Sequence, residues 1–234
     1  MSAKPRYAVY FAPEAGSDLE AFGRAWLGRD AATGETAPLS SLNGAGLRAD
    51  ERARIVAEPR RYGMHATLKP PFALHTDRNE DALLAAVEHF ASGRACVNVG
   101  PLTLRDLDGF LALMPEPCTG LAKLAFDCVR AFDVFRAPAG EAELARRRAA
   151  GLSARQEELL CAWGYPYVDD QFRFHLTLTG RLADELRGRV LRGLEPLVAP
   201  LCAPPLRIRE LCVFRQPGAG ADFALIRRCP LRTG

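Results

Sequence analysis

The chain has 234 residues, 48% hydrophobic and 25% charged, with a net charge of +3. This length and balance describe one globular domain with a substantial core and exclude a disordered or fibrous chain. The charge is too mild for a dedicated nucleic-acid binder, and no apolar run reaches the roughly 18 residues of a membrane span.

With no apolar signal-peptide core near the N-terminus, a cytoplasmic protein is expected. The cations are almost all arginine, with lysine only at Lys4, Lys69 and Lys123. The seven cysteines are odd in number and include no Cys-x-x-Cys pair. They therefore read as small apolar residues in a reducing compartment rather than as a disulfide framework.

In chain order, the β-branched and aromatic run Tyr7 to Phe11 predicts a strand, stopped by Pro13. Ser17 followed by an acidic turn predicts a capped helix to about Leu27. From Gly28 to Gly63 the chain is punctuated by Gly, Ser, Thr, Asn and Pro. That stretch reads either as a lid over a cleft or as a surface loop with one short helix near Ala49 to Val56. His65 to Leu68 predicts a strand closed by Pro70-Pro71. Asn79 to Phe90 has helical spacing, with Leu83, Leu84, Val87 and Phe90 on one face. Val97 to Arg105 and Phe110 to Met114 bracket Asp106-Leu107-Asp108-Gly109 as a hairpin. Leu121 to Phe132 is helical, with Leu121, Leu124, Phe126, Cys128 and Val129 as its apolar set. Glu141 to Trp163 is a charged helical stretch broken at Gly151-Leu152-Ser153, where Ser153 caps a second helix.

Phe172 to Thr179 then predicts a strand, Asp184 to Leu197 a helix, and Leu206 to Phe214 and Phe223 to Arg228 two more strands. Each half thus runs strand, helix, strand, turn, strand, in an imperfect duplication. The expectation is a single two-lobed domain, with a first half of about 1–132 and a second of about 133–234 facing a shared cleft.

Each half carries one copy of the same motif: His65-Ala66-Thr67-Leu68 and His175-Leu176-Thr177-Leu178. In a strand, positions i and i+2 share a face, so each motif presents an imidazole beside a hydroxyl. Histidine can give or take a proton near neutral pH. Threonine offers an O–H to a phosphate oxygen. Two such pairs supply a base, an acid and two oxygen-binding groups without a metal or other cofactor. Either motif alone reads as a structural strand histidine. Their repetition in corresponding places makes them a site. His75 and His89 lack the threonine and read as incidental.

The paired motifs resemble the 2H phosphoesterase superfamily. More narrowly, four blocks resemble its bacterial, DUF1045-like branch associated with phosphonate metabolism. They are Arg6-Tyr7-Ala8-Val9-Tyr10-Phe11-Ala12-Pro13, Arg61-Tyr62-Gly63-Met64-His65-Ala66-Thr67-Leu68-Lys69-Pro70-Pro71-Phe72, Phe132-Asp133-Val134-Phe135-Arg136-Ala137-Pro138 and Phe172-Arg173-Phe174-His175-Leu176-Thr177-Leu178-Thr179. They extend over nearly the whole chain, and none of the four motif positions departs from the pattern. The resemblance implies a pseudo-symmetric α+β fold with antiparallel sheets flanking a central cleft. It implies metal-independent phosphodiester chemistry, with His65 and His175 as the acid/base pair and Thr67 and Thr177 on phosphate oxygens.

Around the motifs, Lys69 lies at i+4 from His65, on the same face if the strand persists. Arg173 lies at i−2 from His175 by the same alternation. Tyr10 could point its hydroxyl into the cleft, although strand aromatics more often belong to the core. Arg130 is a weaker substrate contact, as is Arg136. The 146–148 arginines read as a solvated helix face.

The leading function is hydrolysis of a small cyclic phosphodiester, with a phosphoribosyl cyclic phosphate as the candidate if the phosphonate association holds. Alternatives are RNA 2',3'-cyclic phosphodiesterase or ligase-type end processing, which needs a basic, aromatic-lined approach, and a non-catalytic nucleotide-binding module. A metal site lacks carboxylate or cysteine partners at recognisable spacing. No membrane partner is expected, and oligomeric state is not legible.

Overall fold

The structure is a computed structural model that describes residues 4–37, 46–149 and 151–233. The chain folds as α+β with antiparallel sheets throughout. Strand β1 (Arg6–Phe11) is followed by α1 (Asp18–Leu27), α2 (Ala49–Val56), β2 (Ala66–Ala73) and α3 (Glu80–Ser92). Next come β3 (Val97–Gly100), β4 (Leu102–Leu107), β5 (Phe110–Pro115), α4 (Thr119–Ala131), α5 (Glu141–Arg148) and α6 (Ala154–Trp163). The chain closes with β6 (Leu176–Thr177), α7 (Asp184–Cys202), β7 (Leu206–Ile208), β8 (Glu210–Gln216) and β9 (Ala224–Pro230).

The helix starts follow their capping residues. The Ser17 hydroxyl accepts the Glu20 N–H at the head of α1, and Asn79 accepts the Ala82 N–H before α3. Ser153 and Gln156 form a reciprocal capping box at α6. Between β4 and β5, Asp108 and Gly109 both have positive φ, 52° and 98°, the conformation of a two-residue hairpin turn.

The strands do not segregate by sequence half. One sheet has the order β2-β1-β8-β9 and another β4-β5-β6, with a small β3-β7 pair beside them. The first motif therefore sits on a sheet whose β8 and β9 come from the C-terminal half. The second sits on a sheet whose β4 and β5 come from the N-terminal half. The helices are exchanged as well: α3 packs on β8 and β9, and α7 packs on β4 and β5. The main core, with Trp26, Leu83, Leu111, Phe132 and Leu176 all at 1% exposure or less, runs beneath both sheets, and a smaller cluster around Tyr10, Phe214 and Phe223 lies apart from it.

Five boundaries differ from expectation, one of them in the Leu206 to Phe214 run, which breaks at Arg209 into β7 and β8 of different sheets. Strand β2 does not stop at Pro70-Pro71 but runs through them, because it is a sheet edge and its register against β1 shifts there. The Val97 to Arg105 run breaks at Gly100-Pro101 into two strands belonging to different sheets. Helix α7 passes Leu197 and continues to Cys202, because Pro196 and Pro200 fall on its exposed face while Val190, Leu194, Val198 and Cys202 line the buried one. The second motif strand is reduced to Leu176–Thr177. Within the 28–63 connection the short helix is α2, as expected; residues 38–45, where a lid would also fall, lie outside the described residues.

Candidate active site

The two motifs present the same burial pattern. His65 and Thr67 are half-buried while Ala66 and Leu68 are buried, and His175, Thr177, Leu176 and Leu178 repeat this. Alternation thus holds over the motifs themselves. Thr67 pairs with Tyr10 of β1, and Thr177 pairs with Ala112 of β5.

Each histidine precedes its strand and is fixed by the carbonyl two residues earlier. His65 Nδ1 donates to the Gly63 carbonyl at 2.9 Å, and His175 Nδ1 donates to the Arg173 carbonyl at 2.7 Å. A carbonyl only accepts, so Nδ1 carries the hydrogen and Nε2 is the free nitrogen. The Arg173 carbonyl, engaged by the imidazole, is not used in a ladder, which helps explain why strand pairing begins only at Leu176. Gly63 makes the first turn possible: its φ is 72°, and a Cβ there would stand 2.6 Å from the Ala31 Cβ.

Aromatic rings from the neighbouring strands back both imidazoles. Tyr10 lies 4.3 Å from His65 by ring centroids, and Phe110 lies 5.8 Å from His175. Tyr62 stacks on His65 from the preceding turn at 5.2 Å. Beyond the second motif, the buried Thr179 hydroxyl accepts the Leu111 N–H, and Trp26 of α1 donates its indole N–H to the Leu178 carbonyl.

One residue of each motif, Thr67 and His175, lines a common cavity. Burial pushes His65 down to about 4, with the positive charge of His175 a further depressing influence and the Gly63 carbonyl opposing them. Burial lowers His175 as well, opposed by the Arg173 carbonyl and assisted by the Arg173 charge. That cavity measures about 430 Å³, with Thr67 and His175 in its wall. The wall continues through Phe126, Tyr165, Tyr167 and Phe172, the amides Gln156 and Gln171, and the cations Arg173 and Arg181. His65 and Thr177 stand beside their motif partners, outside that wall.

The supporting residues divide. Arg173 lines the cavity as expected, in an exposed pair with Asp108 at 3.5 Å. Lys69 does not reach it. Register shifts in β2 on either side of Lys69 break the alternation that would have aligned it with His65, and its amine is buried against the Val129 carbonyl and Asp133. Tyr10 is fully buried, so it supports His65 instead of contacting substrate. Arg130 is exposed on α4 away from the cavity wall, and Arg136 is held by Asp133.

Sequence reasoning missed Arg181, Tyr165 and Tyr167. The run Thr179-Gly180-Arg181 directly after the second motif was a usable signal for the first. The tyrosines lie in a segment without periodicity, so nothing local marked them. Among the described residues, no group of three or more His, Cys, Asp or Glu side chains is arranged to hold a metal ion, and no helix is long and apolar enough to cross a membrane. All seven cysteines are free, and Cys128, Cys202, Cys212 and Cys229 are buried.

Residues 67–224 match a family described as "Protein of unknown function (DUF1045)". The chain belongs to that family, in agreement with the branch its four sequence blocks resemble. It is 40% identical over 230 residues to a protein of Janthinobacterium sp. (strain Marseille) named "Ribose 1,5-bisphosphate phosphokinase PhnN", covering 96% of this chain and 50% of that protein. It is 38% identical over 226 residues to a protein of the same name from Laribacter hongkongensis (strain HLHK9), covering 95% and 51%. The chain thus spans about half the length of these relatives. Among solved structures, TT0787 of Thermus thermophilus is similar at 15% identity and a TM-score of 0.45, covering 97% of this chain and 98% of that one. E. coli LigT in apo form is similar at 12% identity and a TM-score of 0.42, covering 99% and 100%.

Proposed function

We propose that the protein is a phosphodiesterase that opens a small cyclic phosphodiester by two-histidine acid/base catalysis. The observation that carries this is one cavity lined by Thr67 of the first motif and His175 of the second, from separate sheets, with each imidazole anchored through Nδ1 and its Nε2 free. His65, the more strongly depressed of the two, is the neutral partner and serves as base. Its Nε2 takes a proton from water as the water oxygen bonds to phosphorus. His175 gives a proton to the ring oxygen as its bond to phosphorus breaks, and a phosphomonoester results. A bound phosphodiester anion raises the His175 pKa and so favours the protonated form this step requires. Thr67 and Thr177 donate to the non-bridging oxygens, where charge grows in the transition state. These groups accomplish the reaction without a metal.

The relatives' name supports a phosphorylated ribose as substrate. Hydrolysis of ribose 5-phosphate carrying a 1,2-cyclic phosphate, with cleavage at the 2-oxygen, yields ribose 1,5-bisphosphate, the compound in that name. The chain covers only half of those proteins, and none of its three lysines follows a glycine, as the lysine of a Gly-rich phosphate-binding loop does. This supports assigning the phosphokinase activity to the part of the relatives that the chain does not share.

A second reading, a nucleotide or RNA end with a 2',3'-cyclic phosphate, is favoured by the aromatic lining from Tyr165, Tyr167, Phe126 and Phe172, on which a base can stack. A panel of ribose cyclic phosphates and 2',3'-cyclic nucleotides, followed by phosphorus NMR, separates the two. The first reading requires preference for the phosphorylated ribose. The second requires preference for the nucleotides. Turnover of neither contradicts the phosphodiesterase assignment.

A further inference from the structure

Tyr165 and Tyr167 form one wall of the cavity, yet they belong to neither motif. They lie in the segment between α6 and a 3-10 turn at Asp169–Gln171. A set of polar contacts runs from the strand of the first motif to the last turn of α6, directly before this segment.

The contacts start at Lys69, two residues beyond Thr67, whose side chain is almost wholly buried. Its Nζ donates to the Val129 carbonyl at 3.0 Å and lies 3.5 Å from Asp133 Oδ1. Val129 is itself part of the cavity wall. Asp133 is gripped by Arg136 through two prongs, Nε at 2.7 Å and Nη2 at 3.2 Å. Arg136 Nη2 also donates to the Ala162 carbonyl in the last turn of α6, at 3.3 Å. The same guanidinium packs under Gly164, the left-handed cap that ends α6 with φ 72°. A Cβ at Gly164 would stand 3.0 Å from Arg136 Nη1, so a side chain there would push the guanidinium by a few tenths of an ångström, and the left-handed φ favours glycine. Tyr165 is the next residue.

We propose that Lys69, Asp133 and Arg136 are positioning residues that hold the Tyr165–Tyr167 wall at a fixed distance from Thr67 and so set the binding width of the cavity. Burying a lysine amine against the Phe72 ring and the Val129 backbone is expensive where an aliphatic side chain would pack freely. Burial pushes the amine down to about 8 against the opposing pull of Asp133. Buried ionic contacts are best attested where they fix register. Here the register in question lies between two walls of one cavity. Thr67 and its strand form one side, and the tyrosine segment, which has no ladder of its own, forms the other.

The inference rests on the proposed function for its kinetic arm only. Asp133→Asn and Lys69→Met are expected to raise KM about tenfold with kcat little changed, the pattern of lost binding shared by ground and transition states. Arg136→Lys, which keeps the charge and loses the two-pronged grip, is expected to fall between them and wild type. Hydrogen exchange in the ligand-free protein reads the wall directly. In Asp133→Asn the amides of Tyr165, Tyr167 and Val168 should exchange faster while those of β1 stay protected. Gly164→Ala pushes on Arg136 from the wall side and leaves the buried charges intact, so it serves if the charge variants do not fold; it should reproduce both effects. Unchanged KM overturns the proposal, as does unchanged exchange at Tyr165, Tyr167 and Val168, and a purely structural strut would lower Tm while leaving both unchanged. Faster exchange in a protein inactive on every phosphodiester would instead sink the proposed reaction and keep the network.

Discussion

The phenol ring of Tyr10 lies 4.3 Å from the imidazole of His65, and its hydroxyl is buried without a hydrogen-bond partner among the described residues. The ring therefore serves His65 as a packing surface, and the hydroxyl is a liability of about 1 kcal/mol or more. Tyr10→Phe is expected to keep turnover and to raise Tm. Tyr10→Leu, which removes the ring, is expected to lower kcat. Loss of turnover in Tyr10→Phe would show instead that the hydroxyl takes part in the reaction.

The depressed histidines set the pH dependence. Turnover from the free enzyme requires His65 neutral and His175 protonated. kcat/KM should rise as His65 deprotonates near pH 4 and fall as His175 loses its proton below its ordinary value of 6.5. The maximum is therefore mildly acidic. The alkaline limb of kcat should lie higher, because the bound anion favours protonated His175. A kcat/KM maximum above pH 7 would contradict the assignment of roles.

Stability follows from the same shift. Folded His65 titrates near 4 and the unfolded chain near 6.5, so between those values the unfolded state binds more protons. The contribution is present above pH 6.5 and is lost as pH falls toward 4, about 3 kcal/mol in all. Chemical denaturation of His65→Gln across that window should show a shallower loss than wild type. Parallel curves would place the shift elsewhere.

Arg181 lines the cavity with its guanidinium on the Asp108 carbonyl, and it has no carboxylate partner among the described residues. Arg181→Gln is expected to raise KM for an anionic substrate about tenfold with unchanged fold. Arg130→Gln, on the exposed face of α4, should change neither constant. Equal effects from both would mean that the cation acts through net charge alone.

Much of this was legible in the sequence, for identifiable reasons. Ser17 and Ser153 announced their helices because capping is a local hydrogen bond. The repeated His-x-Thr could be read because strand alternation over three residues is also local. Lys69 was misplaced because that alternation was carried past a register shift that only the pairing with β1 reveals. The exchange of strands between halves was hidden for the same reason: β6 pairs with β5 and β1 with β8, choices made by the tertiary fold. The tyrosine wall was invisible because the contacts that hold it come from Asp133 and Arg136, some thirty residues away along the chain.

The measurement that bears most directly on the account is kcat for His65→Ala and His175→Ala on the best substrate of the cyclic phosphodiester panel, with Tm measured alongside. Each variant is expected to fold and to lose roughly 10²–10⁴ in turnover. Near-wild-type turnover in either folded variant would contradict two-histidine catalysis.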